Sequence, residues 1–240
     1  MVTERPSSPL DPARMIAEAR KAFFVMFALL CAVWVVQLAN WADDYRLSLD
    51  YGIVAHQAGR LPDVLSAPFL HANWQHLEGN SGPLFVFGFL AAYRGVKRFL
   101  GLTLLVVLTS GLAVWLFERG SVVTVGASGV IFGYFGYVVL RGVFDRNLID
   151  TLIGLVMGAS FAYILTSAVP GTPGVSWLAH LGGLAGGLAG AWIFRDRGAG
   201  YLAAERPSPA PAATSAPDAP VTSADPSRAQ LLKDLDDLGL

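Results

Sequence analysis

Apolar stretches of about 20 residues recur along this chain, and few folds can accommodate such a pattern. Hydrocarbon offers no water to backbone N–H and C=O groups. A segment crossing it must therefore satisfy them internally, as a helix or in a closed barrel. Six stretches of helical length can be drawn: residues 22–42, 76–93, 98–117, 126–144, 148–170 and 176–194. Residues are 54% hydrophobic and only 15% charged, whereas a soluble domain is roughly a quarter charged. The expected fold is an all-α membrane protein, a bundle of six transmembrane helices.

The segments outside these stretches set the organisation. Residues 1–21 are mostly polar and read as a cytoplasmic N-terminal segment. Asp11-Pro12 resembles an N-cap with proline at the first helical position, so a short interfacial helix is expected there, leading into the first span. No small-residue cleavage site follows that span, which reads as a retained helix. The loop 43–75 mixes Leu61, Val64, Leu65, Phe69 and Leu70 with polar residues, suiting a partly helical interfacial segment. Residues 22–195 form the expected membrane core. The 196–240 stretch, rich in proline and alanine, reads as a flexible cytoplasmic tail. Leu231, Leu232, Leu235 and Leu238 near its end have helical spacing, too short a pattern for a stable isolated helix.

Loop charges give an orientation. With the N-terminus inside, the inner segments carry Arg5, Arg14, Arg20 and Lys21, then Arg94, Lys97 and Arg98, then Arg141 and Arg146, then Arg195 and Arg197. The outer loops carry only Arg46, Arg60 and Arg119. This bias places both termini in the cytoplasm. A bacterial plasma membrane is the expected location, on alanine-, glycine-, valine- and arginine-rich usage and the absence of presequence character. The net charge of −1 gives no case for nucleic acid. The single cysteine, Cys31, excludes a disulfide within the chain and reads as a small buried hydrophobe.

Polar side chains in such segments are costly unless partnered or facing a wet cavity. In the inferred topology, spans two, four and six all descend from the outer face. His76 and Asn80, Ser128, and His180 lie in their first turns, on the order of 5–10 Å below the interface. A serine hydroxyl needs a base to act as a nucleophile. His180 can supply one, and no acid stands near it in sequence to complete a triad. Gly126 and Gly129 flank Ser128, allowing a tight turn and close approach. Ser128 at a helix start would have free amides beside it for an oxyanion. Gly183 and Gly187 form a small-residue stripe beneath His180, so a partner backbone can come close there. His76 and Asn80, at i and i+4, share a helix face and can both donate to an oxyanion. These features point to hydrolysis within the plane of a membrane.

Each string also has a plainer reading. Gly126-Ala127-Ser128-Gly129 can be a packing surface, His76 and Asn80 an interhelical clasp, and Glu78 an interfacial acid favoured by the helix dipole. His71, His76 and His180 could converge on a metal, but no further ligand has fitting spacing, so no metal or cofactor is expected. Two other functions remain open: a binder of transmembrane clients that does not cut them, and a small transporter. Polar groups gather only near one face, which gives transport little support.

Taken together, the residues resemble the rhomboid family of intramembrane serine proteases. The resemblance spans the six-helix core. It rests on His71-x4-His76-x3-Asn80 before and into the second span, Gly126-Ala127-Ser128-Gly129 opening the fourth, and Ala179-His180-x2-Gly183-x3-Gly187 in the sixth. It implies a Ser128–His180 dyad acting on transmembrane or juxtamembrane segments of membrane proteins. It also implies an oxyanion hole of His76, Asn80 and the Ser128 amide, with His71 supporting the first loop and water access. Two positions depart from the pattern. No tryptophan precedes an arginine in the first loop, where many members carry such a pair. Phe132 stands where several carry a tyrosine that stacks on the histidine.

Overall fold

A computed structural model describes residues 12–196. Helix α1 runs unbroken from Pro12 to Ala42. It begins at the expected proline, and residues 12–21 run on into the span as one helix rather than forming a separate interfacial one. Its buried residues, Ala22, Met26, Val33, Gln37 and Asn40, recur at helical spacing and make one stripe. That stripe packs on α3 (Trp74–Ala92). The rest of α1 faces outward, with Phe23, Phe24, Phe27, Val35 and Leu38 exposed. Cys31 is exposed as well, not buried as its residue type suggests, because α1 is covered mainly along this single stripe.

The first loop is partly helical, as its mixed composition predicts. It holds α2 (Arg46–Tyr51) and two 3-10 turns, Ala58–Val64 and Ala67–Phe69. It also holds a two-residue strand, β1 (Ile53–Val54), which pairs antiparallel with β2 (Val123–Thr124), Ile53 opposite Thr124. Alternation is unreadable over two residues, so nothing in the sequence marks this ribbon. Arg60 knits the loop together. Its guanidinium donates to the carbonyls of Leu49 and Gly52 and pairs with Asp63. The loop that lacks a Trp-Arg pair thus has its own arginine tie.

The remaining spans are α4 (Val96–Phe117), α5 (Ser128–Phe144), α6 (Leu148–Phe161) and α7 (Trp177–Ile193). A 3-10 segment, Ala162–Ala168, prolongs α6. Side-chain oxygens of Asn73, Asn147 and Ser176 accept amide protons at the starts of α3, α6 and α7, fixing where those helices begin. By length and composition, α1, α4 and the extended α6 can each cross a membrane. Helix α5 is central, with Gly129 through Val138 buried without interruption. Helices α3, α4, α6 and α7 pack around it, and α7 also packs on α4. These neighbours bury Asn80 of α3 and His180 of α7. The architecture is that of an all-α membrane protein with a six-helix core.

Charged groups gather at the α5 end remote from Ser128. Arg141, 2% exposed, donates to the Leu90 carbonyl and to Asp150. Arg94 pairs with Asp145 and Asp150, and Arg98 with Asp196. The Asp196 amide also donates to Asp145. Ends of α3, α4, α5, α6 and α7 are joined through these contacts.

Candidate active site

Ser128 is the first residue of α5. No side chain caps this helix at Ala127, so its first amides remain available to another acceptor. Gly126 precedes the turn with φ +123°, a region side-chain-bearing residues avoid. Two residues of the first loop hold this turn. The Gly126 amide donates to the Ala67 carbonyl at 2.9 Å, and the Ala127 amide to His71 Nε2 at 3.4 Å. His71 is held in turn from α1 and α2: its carbonyl accepts from Asn40 Nδ2 at 3.1 Å and from Ser48 Oγ at 3.3 Å. A polar chain therefore runs from the end of α1 to the residue before Ser128.

His71 is fully buried, and its Nδ1 has no hydrogen-bond partner. Burial, and then the neighbouring His76 ring, push its pKa from 6.5 down to about 3, against a small opposing effect of the Phe69 backbone. It is neutral at physiological pH, as an acceptor of the Ala127 amide must be. The His71 and His76 rings meet edge-on with centroids 5.0 Å apart.

Helix α7 delivers His180, whose Nε2 lies 2.8 Å from Ser128 Oγ. The approach depends on glycines. A Cβ at Gly183 would run into the Gly129 carbonyl, and one at Gly187 into the Gly133 carbonyl. A Cβ at Gly129 would strike Ser110 Oγ and stand 3.0 Å from the Ala179 carbonyl. Backbones of α5 and α7 thus touch directly, along the stripe expected from Gly183 and Gly187. Ser110 Oγ donates to the Ala179 carbonyl at 2.9 Å and ties α4 into the same contact. Phe132, one turn below Ser128, stacks on the His180 ring at 4.2 Å with planes 9° apart.

His76 and Asn80 come from α3 and meet over Gly126. A Cβ there would lie 2.8 Å from His76 Nε2 and 3.7 Å from Asn80 Nδ2. Asn80 Nδ2 is buried with no hydrogen-bond partner. An orphaned buried donor is costly, and this one faces the turn that carries Ser128. Glu78 points away and is exposed. No cluster of three or more His, Cys, Asp or Glu among the described residues is arranged to hold a metal. A cavity of about 20 Å³, room for one water, lies beside the turn, lined by Val64, Ala67, Ser110, Gly126, Val130 and Ala179.

Ser167 also meets His180, although it is not among the residues singled out in the sequence. His180 Nδ1 lies 2.8 Å from the Ser167 carbonyl and 3.2 Å from Ser167 Oγ. Ser167 closes the fifth span. Spans running toward the face that carries Ser128 end at the depth where their antiparallel neighbours begin, so span ends as well as starts can hold site residues.

The chain is also similar to known proteins over much of its length. Residues 58–197 match the Rhomboid domain. The chain is 35% identical over 176 residues to an uncharacterized protein of Mycobacterium tuberculosis, covering 70% of this chain and 73% of that one. An uncharacterized Mycobacterium leprae protein is 38% identical over 176 residues, with coverages of 70% and 69%. Rhomboid-like protein 11, chloroplastic, of Arabidopsis thaliana is 33% identical over 136 residues, covering 52% of this chain and 49% of the plant protein. With its six-helix core and a domain match over more than half its length, this chain belongs to the rhomboid family.

Proposed function

We propose that the protein is an intramembrane serine endopeptidase that cleaves transmembrane or juxtamembrane segments of other membrane proteins. The observation that carries this reading is the 2.8 Å contact between Ser128 Oγ and His180 Nε2. Ser128 Oγ attacks the scissile carbonyl carbon while His180 Nε2 takes its proton. The resulting oxyanion is stabilised by the Ser128 amide, Asn80 Nδ2 and His76. The intermediate collapses, the C–N bond breaks, and His180 returns the proton to the leaving amine. Water then attacks the acyl-enzyme by the same route and restores the serine.

A peptide bond within an intact helix is hydrogen-bonded and covered, so substrates should unwind locally near the site. Glycine or another helix-breaking residue near the cleaved bond is expected. A set of substrates indifferent to such residues would contradict this. The charge bias of the loops orients the site toward the outer face of a bacterial plasma membrane, with both termini cytoplasmic.

The deciding experiment is labelling of purified, folded protein by a fluorophosphonate serine probe. Wild type should label, while Ser128→Ala and His180→Ala should not. An unlabelled but folded wild type, in detergent and in lipid, would favour a protein that binds transmembrane clients without cutting them.

A further inference from the structure

We propose that Ser167 is a positioning residue for this site, the third group that sets the tautomer and orientation of His180; this rests on the hydrolase reading above. For Nε2 to accept the Ser128 proton it must be bare, so the neutral ring must carry its proton on Nδ1. A triad uses a carboxylate to enforce that choice. Here Nδ1 instead meets two atoms of one serine: the Ser167 carbonyl at 2.8 Å and Ser167 Oγ at 3.2 Å.

Hydrogen-bond arithmetic fixes the direction of both contacts. A carbonyl can only accept. Ser167 Oγ donates its own proton to the Ile164 carbonyl at 2.8 Å, which leaves a lone pair facing Nδ1. The carbonyl contact therefore requires Nδ1–H, and moving the proton to Nε2 would lose it and pull the Ser167 hydroxyl away from Ile164 to donate to Nδ1. Phe132 fixes the plane of the ring through its 4.2 Å stack. Stacking does not fix rotation within that plane, and the two acceptors of Ser167 do. When the ring becomes imidazolium, Nδ1–H remains directed at both oxygens.

The element that carries Ser167 gives the role a consequence. None of the 3-10 segment Ala162–Ala168 is fully buried, unlike α5. It is held to the core next to Phe161, whose ring meets Phe87 edge-on at 5.0 Å. The base is competent only while this last turn of the fifth span is docked against α7. Undocking would free Nδ1 and allow the proton to sit on Nε2, which is unproductive toward Ser128.

The test combines nitrogen-15 NMR of histidine-labelled full-length protein with rates of fluorophosphonate labelling. The His180 signals are assigned by their loss in His180→Gln. In wild type, His180 should be the Nδ1–H tautomer. In Ser167→Ala, which keeps the 2.8 Å carbonyl contact and loses only Oγ, the ring should stay Nδ1–H while its Nδ1 signal shifts with the lost acceptor. Labelling should slow roughly five- to ten-fold, the loss of about one hydrogen bond. Ser167→Thr keeps both acceptors and should label within about two-fold of wild type. A wild-type Nε2–H tautomer overturns the proposal, as does wild-type labelling by folded Ser167→Ala. If the alanine variant does not fold, the wild-type tautomer and the threonine rate decide. A folded wild type that the probe does not label overturns the hydrolase reading itself and this role with it.

Discussion

The Gly183 Cα faces the Gly129 carbonyl so closely that no Cβ fits between them, one turn from where His180 Nε2 meets Ser128 Oγ at 2.8 Å. Helix separation and the Ser128–His180 geometry are therefore one variable. Gly183→Ala forces the helices apart or the ring out of line. Overpacking of this kind costs about 1–3 kcal/mol. A displacement near 1 Å at the reacting atoms costs on the order of 10²-fold in rate. We expect Gly183→Ala to remain largely folded, with a modestly lower Tm, while its fluorophosphonate labelling falls far more. Loss of labelling merely in proportion to loss of folded protein would refute the coupling.

Asn80 should separate activity from stability. Its Nδ2 is buried without a partner, so the resting protein gains little from it. Removing one oxyanion donor typically lowers kcat by about 10²–10³. Removing an unsatisfied buried donor relieves a desolvation cost. Asn80→Leu should therefore unfold at the same temperature as wild type or higher, yet cleave a transmembrane substrate far more slowly. A marked fall in Tm with unchanged turnover would identify Asn80 as an interhelical clasp instead.

Much of this site is legible in the sequence because a bilayer is a strict solvent. Ser128, His180, His76 and Asn80 stand out against apolar neighbours, and the spacing of Gly183 and Gly187 names the face that packs. What is not legible depends on backbone atoms. The Ser167 carbonyl, the Ala67 carbonyl and the Ala127 amide belong to no residue-type pattern, yet they contact His180 or fix the turn that carries Ser128. Asn40 and Ser48 lie before the matched domain and reach the site only through the His71 carbonyl. The misjudged Cys31 follows the same logic: residue type suggests burial, but exposure on a membrane helix depends on which face its neighbours cover.

The charge cluster at the far end of α5 makes a prediction about folding. Arg141 is 2% exposed and depends on Asp150 and the Leu90 carbonyl. Asp150→Ala leaves that guanidinium buried with its ion pair gone, and weakens the hold on Arg94. Breaking a buried pair by removing one partner costs about 3–5 kcal/mol. Replacing both with apolar residues, as in Arg141→Met with Asp150→Leu, should recover part of the loss. Ser128 lies about 20 Å from Arg141 along α5, so whatever fraction stays folded should label at the wild-type rate per molecule. Thermal unfolding in detergent, with labelling normalised to folded protein, checks both halves.

His71 predicts a pH dependence of stability with a definite sign. Its pKa is about 3 in the folded protein and 6.5 as an unperturbed side chain. Above pH 6.5 the ring is neutral in both states, and its contribution is fully present. As pH falls from 6.5 toward 3, the unfolded chain binds a proton that the folded protein refuses. Stability is lost progressively across that window and levels off below it. His71→Gln keeps an oxygen acceptor for the Ala127 amide but cannot titrate. It should lower Tm at pH 7.5 somewhat, and its Tm should then fall less than that of wild type between pH 6.5 and 4. Parallel Tm curves for the two proteins would show that His71 already carries a proton when folded. It could not then accept from the Ala127 amide.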